Sequence, residues 1–442
     1  MKLSGWGRYP QFSAKVSAPR NLEALRKQVI KGNTIARGNG RAYGDCSVSV
    51  QNTIEMKHFD HMLAFDCTSG QLVAEAGVIL ADIIDTFLPR GWFPYVTPGT
   101  KYVTIGGLIA ADVHGKNHHK EGSFSNYVEW VDVITSDGQI KRCSRTENTD
   151  LFAWTMGGMG LTGIILRAAF KLRPVSSAWI KQHILVATNI GHAIELFEQS
   201  QSSTYSVAWI DCFQKGNSMG RALIVLGEHA EASELPPQAN KQPLLINRKR
   251  KLKIPFDFPS WALNPTSIRT FNALYYKKGK NKTKPYLVDW NNYFYPLDAV
   301  LGWNKIYGRR GFAQFQCVLP LKNSDEGLRK LLSAIESARC GSFLAVLKRF
   351  GKQDSKFSFP MEGYTLALDF PINQKTLSLM NHLDDITVQF EGRVYLAKDS
   401  RMSRDVFEKS ESRAVEYIAF RRKQAAQKTL SRGPDRARLS TL

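Results

Sequence analysis

Two glycine-rich stretches hold the residues best suited to chemistry. The first, ARGNGRAYGD from Ala36 to Asp45, sets two arginines among glycines, where exposed backbone N–H groups and guanidinium charge could together hold a pyrophosphate. The second, TPGTKYVTIGGLIAADVHGKNHHKEGSF from Thr97 to Phe124, sets glycines and histidines around one short apolar run. Gly106 and Gly107 let the main chain approach a ligand at distances a Cβ would forbid, and Gly99 after Pro98 suits a tight turn. A backbone like this wraps a large flat ligand, and two such loops point to a dinucleotide site.

His114 and His118 raise a rival reading, because i,i+4 spacing on a helix would put two metal ligands on one face. Gly115 opposes a stable helix there, and nothing at matching spacing supplies a third, acidic ligand, so no metal is expected. His114 suits packing or hydrogen bonding beside a flat ligand, and His118 and His119 suit structural roles.

The elements that must position these loops divide the chain into three parts. Its 442 residues exceed one common core, so two domains are expected, and 43% apolar residues supply them. Residues 1–175 mix short alternating runs (TIEMKHF, QLVAEAGVIL, GIILRAAFKLRP) with helical pieces such as LEALRKQVI, an α+β pattern; SDGQ marks a hairpin turn. Residues 176–392 repeat the pattern with longer strands, YSVAWIDCF, GFAQFQCVLP, FLAVLKRFG and YTLALDFPI, between helical runs. A final segment, 393–442, returns to helix and ends in a basic tail expected to fray.

The formal net charge of +21 is unevenly spread. Between Lys241 and Lys284 twelve Lys or Arg face one acid, Asp257, with Phe256, Phe258, Trp261, Phe271, Tyr275 and Tyr276 interleaved. Nucleic acid, an anionic membrane surface or plain solvent could answer such a run. PFDFPSWALNP carries three prolines and no helical period, so the region, 241–284, reads as a flexible loop with an interfacial tendency and no nucleic acid is expected. The cysteines Cys46, Cys67, Cys143, Cys212, Cys317 and Cys340 lack CxxC spacing, which with the absence of an apolar leader or span suggests a cytoplasmic protein, peripheral at most to the inner membrane.

Taken together, GWGRYP, RGNGRAYGD, PGTKYVTIGGLIAADVHGKNHHKEGSF, MGGMGLTGIILRA, AWID, QFQ, VLKRFG and YLAKDSR resemble the family of FAD-dependent oxidase subunits of decaprenylphosphoryl-β-D-ribose 2′-epimerase, within the vanillyl-alcohol-oxidase-like flavoproteins. No single motif suffices; their order and spacing carry the resemblance across nearly the whole chain. It implies a two-domain α+β flavoprotein, with a PCMH-type FAD-binding domain built from both chain ends and a substrate domain on an antiparallel sheet.

Residue by residue, the resemblance places Arg37, Gly38, Asn39, Gly40, Arg41, Ala42, Tyr43, Gly44, Asp45 and Cys46, with Gly99, Thr104, Ile105, Gly106 and Gly107, around the FAD pyrophosphate and ribose. Ala111, Asp112, Val113, His114, Ile164 and Tyr395 would follow the flavin. The first loop has Ala42 and Tyr43 where related flavoproteins attach the flavin through histidine, so the FAD is expected to be non-covalent. The implied chemistry is hydride removal from a secondary alcohol with loss of the hydroxyl proton.

For that chemistry Lys398 of YLAKDSR is the leading catalytic candidate, followed by Tyr43 and Lys116, while Gln314, Gln316, Lys348 and Asp369 match positions on the substrate side. Where family members carry asparagine and cysteine before DFPI, this chain has Thr365 and Ala367. The implied reaction converts the 2′-hydroxyl of a polyprenyl-phosphoryl-β-D-ribose to the 2′-ketone, with a separate NAD(P)H-dependent reductase completing the epimerisation and the basic segment meeting an anionic membrane. Two rivals are an aldonolactone or alditol oxidase of a soluble sugar, and a basic membrane- or nucleic-acid-binding protein with a degenerate flavin fold.

Overall fold

The computed structural model describes residues 1–246, 251–259 and 263–424. Near the N-terminus a small parallel sheet runs in the order Val16–Ser17, Asn52–Glu55, Thr34–Arg37. Helix Leu22–Ile30 covers it through Leu25 and Val29, and Asn21 caps the helix by accepting from Ala24 N. Beside it lies an antiparallel sheet ordered Ile140–Ser144, Val128–Ile134, Ile164–Pro174, Gln71–Glu75, Met62–Asp66, with Trp92–Pro94 pairing the far end of the long central strand. The SDGQ turn does close a hairpin: Ile134 faces Ile140, and Gly138 adopts φ 80°.

The first core forms where this sheet meets the second glycine-rich stretch. Helix Ile105–Ala110 is only six residues long, and it is held by the Thr104 side chain, which accepts from Gly107 N at 3.3 Å. Ile105, Leu108 and Ile109 bury against Val131, Val133, Ala168 and Phe170. Gly107 is left on the exposed side, while Gly106 sits against Ala76 and donates its N–H to the Ala76 carbonyl at 2.8 Å.

The second sheet has eight strands in the order Tyr286–Asp289, Trp179–Ala187, Ala222–His229, Tyr205–Ile210, Ala345–Phe350, Gly363–Pro371, Phe312–Pro320, Arg393–Val394, every neighbour antiparallel. Period-two alternation gives its middle strands two different faces. Ala313, Phe315, Cys317, Leu347, Leu366 and Leu368 bury against helices Ile190–Gln199, Ser324–Ser337 and Gln374–Gln389. The opposite face carries Gln314, Gln316, Lys348, Thr365, Ala367 and Asp369, with Gln314 opposite Asp369 and Lys348 opposite Thr365 in register. A slip of one residue would exchange the two sets, so the buried apolar face fixes where the polar residues stand.

The basic aromatic region departs from the loop expected for 241–284. Pro265–Lys280 is a sixteen-residue helix, capped by Asn264 with Pro265 in its first turn. The third proline is a helix starter, since its missing N–H falls where no partner is needed. Ile268, Asn272, Tyr276 and Gly279 face inward, Tyr276 Oη donates to Ala187 O at 3.0 Å, and a Cβ at Gly279 would collide with Leu223. Trp261 and the tail beyond Gln424 lie outside the described residues.

Past the edge strand Arg393–Val394 the chain crosses to the first domain. Helices Arg404–Ser410 and Ala414–Lys423 follow, and Val406, Phe407, Ala414 and Tyr417 share a core with Ile35, Trp154 and Leu161. Tyr417 Oη donates to Gly158 O at 2.6 Å and Arg421 Nε to Leu161 O at 3.2 Å. The six cysteines form no disulfide, and no described helix is long and apolar enough to cross a membrane.

Candidate active site

The first glycine-rich loop is clamped from both chain ends. Trp6 N donates to Ala42 O at 2.8 Å, Tyr43 N donates to Ala397 O at 3.0 Å, and a Cβ at Gly44 would strike the Asp399 carbonyl. Ala42 and Tyr43 are thereby held between the N-terminal turn and the YLAKDSR segment, with Asp45 and Cys46 buried behind them. Arg37 is occupied within the fold, donating to Ser4 O at 2.8 Å and Ser47 Oγ at 3.3 Å. Arg41 stands differently: its guanidinium lies 4.2 Å from the Trp6 ring centre, and its buried Nε has no partner.

The two loops meet directly. Asn39 Nδ2 donates to Tyr102 O at 2.8 Å, and Gly38 sits so close to Thr104 that no side chain fits between them. Gly99 has open space about it, and Gly40, at φ 62°, packs on the Arg37 guanidinium. Ala111 ends the short helix, and its carbonyl accepts from Tyr395 Oη at 3.0 Å. Tyr395 stacks on Phe359 at 4.4 Å.

Asp112, at φ 37° and fully buried, anchors the turn that follows. Its carboxylate accepts from Ser123 Oγ at 2.7 Å, Ser125 N at 2.8 Å, Ser125 Oγ at 3.0 Å and Ser358 Oγ, while burial raises its pKa against those bonds. Val113 pairs its backbone with Leu108 and Phe124. Ile164 is buried in the core with Leu25, Val29 and Ile134.

Across from the loops stands the polar face of the eight-stranded sheet. Lys398 Nζ lies 3.7 Å from the Tyr43 ring centre, and Gln314 Nε2 donates to Asp369 Oδ1 at 2.5 Å. A second chain runs through His114: its Nε2 meets the Gln316 amide at 3.0 Å, its Nδ1 meets Lys348 Nζ at 3.5 Å, and Gln316 Nε2 also donates to Thr365 Oγ1 at 3.1 Å. Lys116 donates to Tyr293 O and lies 4.2 Å from the Tyr293 ring centre. His118 and His119 turn to Gln353 and Ser203.

Enclosure moves these groups toward neutrality. Burial lowers Lys116 to about 7, with Lys348 adding repulsion, and lowers Lys348 to about 8. Burial also drives His114 well below its ordinary value, so its neutral ring donates from one nitrogen and accepts at the other. Lys398 is pushed down by burial against the pull of Asp369, and Asp369 is pushed up by burial against Gln314 and Lys398. Tyr43, Lys116, Lys348 and Lys398 all sit deep in the protein, yet each keeps part of its side chain accessible to solvent. Groups with both properties stand at a partly solvent-reached face rather than in a packed core.

A family model for an FAD binding domain matches residues 22–144, which contain both glycine-rich loops. Along 438 residues, covering 95% of this chain and 94% of the other, the protein is 34% identical to decaprenylphosphoryl-β-D-ribose oxidase of Mycolicibacterium smegmatis. The chain belongs to the decaprenylphosphoryl-β-D-ribose oxidase family. It is an FAD-dependent oxidoreductase. A Streptomyces coelicolor protein of unassigned role is 29% identical over 74% of this chain and 90% of its own. Cytokinin dehydrogenase 5 of Arabidopsis thaliana is 32% identical over 33% of this chain and 28% of its own, a likeness confined to part of each.

The residues present fit the cofactor. Arg41 keeps an unspent buried donor, and Gly99 leaves open space beside the loop. Several residues at the oxidase-family site escaped the sequence reading. Tyr307 stacks on Phe312 beside Gln314, Tyr293 shelters Lys116, and Phe350 and Phe359 pack against His114. Tyr293 falls in an aromatic cluster and Phe350 lies within VLKRFG, but nothing local in IYGRRG marks Tyr307.

Proposed function

We propose that this protein oxidises the 2′-hydroxyl of a polyprenyl-phosphoryl-β-D-ribose to the 2′-ketone. The reading is carried by end-to-end similarity to an oxidase of that name, together with the cleft where Lys398, Tyr43 and Asp369 meet the His114–Lys348 pair. Residues of the two glycine-rich loops would hold FAD, which when bound would supply the two-electron acceptor for oxidation of the carbon bearing the hydroxyl.

The chain's own residues do the rest. Lys398 Nζ, biased toward its neutral form, takes the hydroxyl proton, and Asp369 stabilises the ammonium that results. Gln314 and Gln316 offer amides from one sheet face to the sugar hydroxyls. Lys116 and Lys348 place two more amines at the cleft, where an anionic phosphoryl group would restore their charge. Thr365 beside Gln316 and Ala367 opposite it shape that wall.

A lipid-linked substrate lies at a membrane surface, and helix Pro265–Lys280 is suited to meet one. Phe271, Leu274 and Tyr275 are 45%, 64% and 43% exposed, and Lys277, Lys278 and Lys280 fill the last turn. The 2′-ketone needs a second enzyme to be reduced with inversion, and an NAD(P)H-dependent reductase supplies that chemistry. Quenching the product of farnesyl-phosphoryl-β-D-ribose with borodeuteride tests the reaction: deuterium at C2′ is expected, and deuterium elsewhere or none refutes it.

A further inference from the structure

Thr365, one of the two departures from the family pattern, is buried in the eight-stranded sheet as the register partner of Lys348. Its hydroxyl has a single proton, which goes to Cys317 O at 2.8 Å, because a carbonyl only accepts. The Thr365 oxygen is left to accept, and it does so from Gln316 Nε2 at 3.1 Å. Thr365 therefore selects the NH2 end of the Gln316 amide.

That choice passes along the next two bonds. Gln316 Nε2 also lies 3.0 Å from His114 Nε2, and an amide nitrogen has only protons to offer, so His114 Nε2 accepts. A neutral imidazole that accepts at one nitrogen carries its proton on the other, here Nδ1. The rings of Phe350 and Tyr395 pack against the imidazole at 4.6 and 5.5 Å. A bond to the Gly115 backbone favours the protonated ring, as a carbonyl accepting from this N–H does.

His114 Nδ1 lies 3.5 Å from Lys348 Nζ. An N–H faces an amine favourably only where the amine offers its lone pair, and an ammonium has none. His114, Lys116 and His118 of the second glycine-rich stretch and Lys398 of the last segment face Lys348, and all are bases. Burial lowers Lys348 in the same direction, to about 8.

We propose that Thr365 is a positioning residue that acts through Gln316 to fix the proton of His114 on Nδ1, and so holds Lys348 as a neutral amine in the substrate-free enzyme. Lys398 differs, because its neighbour Asp369 is an acid and favours the ammonium. The polar face thus carries one amine kept without its proton and one poised to gain it. The bonds behind this assignment lie within the protein, so it stands or falls apart from the oxidase reading.

The test is neutron diffraction from deuterium-exchanged crystals of the FAD-loaded enzyme, on the alkaline side of neutrality. Deuterium is expected on His114 Nδ1 and not on Nε2, with two deuterons on Lys348 Nζ. Deuterium on Nε2, or three on Lys348, overturns the proposal. Thr365→Val removes the hydroxyl and frees Gln316 to turn its carbonyl toward His114, so the deuteron should move to Nε2; Thr365→Ser should keep the wild-type pattern. Should Thr365→Val fail to fold, Thr365→Ala removes the same hydroxyl. In solution, the Lys348 13Cε resonance, identified as the one missing from Lys348→Met, should titrate about one pH unit higher in Thr365→Val and be unshifted in Thr365→Ser. Equal titration in wild type and both variants overturns the role of Thr365.

Discussion

Lys398 and Tyr43 lie far apart in sequence, and Nζ of one lies 3.7 Å above the ring of the other. The contact is fixed from behind, because Tyr43 N donates to Ala397 O at 3.0 Å and Gly44 packs on Asp399 without room for a side chain. The segment that carries the proposed base therefore also closes one wall of the cofactor loop.

Replacing Lys398 with Met keeps the chain length and removes the amine. FAD content should stay near one per chain, while kcat falls by about 10²–10⁴, the range of a lost general base. Absorbance of the purified variant and single-turnover kinetics check both halves.

Asp112 is held by three serines, so Asp112→Ala leaves buried hydroxyls without an acceptor. A loss of roughly 3 kcal/mol is expected in denaturant unfolding. Ser125→Ala, which removes one of the donors, should cost about 1 kcal/mol.

The buried lysines set a pH dependence of stability. Lys116 and Lys348 titrate near about 7 and 8 when folded, lower than in an unfolded chain. Between those values and the ordinary lysine range the unfolded state binds more protons, so their contribution to stability rises with pH and its penalty is fully present below about 7. Asp369, raised on folding, works in the opposite sense at lower pH. Unfolding free energies at neutral and alkaline pH should show a positive slope that is shallower in Lys116→Met.

Lys277, Lys278 and Lys280 close the last turn of the exposed basic helix. Changing all three to Glu should weaken binding to vesicles rich in anionic lipid by at least 10²-fold, at about 1 kcal/mol per lost lysine. Activity on a short, soluble farnesyl substrate should be unchanged. Co-sedimentation at low and high salt separates this electrostatic contact from aromatic insertion.

The glycine loops, the α+β pattern of both domains and the alternation that puts Gln314 and Gln316 on one face could all be read from local sequence. They rest on backbone permission and period-two burial, which neighbouring residues encode. Pro265 misled because the same residue breaks a helix interior and starts a helix, and only the inward spacing of Ile268, Asn272 and Tyr276 distinguishes the two. The Arg37 side-chain bonds to Ser4 and Ser47 join distant segments and were not legible locally. Tyr307 was invisible for the same reason, since its place beside Asp369 is made by stacking on a later strand.

The central claim is that this cleft oxidises a lipid-linked ribose. An anaerobic absorbance spectrum of the FAD-loaded protein, taken before and after adding polyprenyl-phosphoryl-β-D-ribose, tests it most directly. The account predicts that the yellow flavin band bleaches with the lipid substrate and that acid denaturation releases the flavin. A band that persists with the lipid and bleaches with a soluble sugar would contradict it.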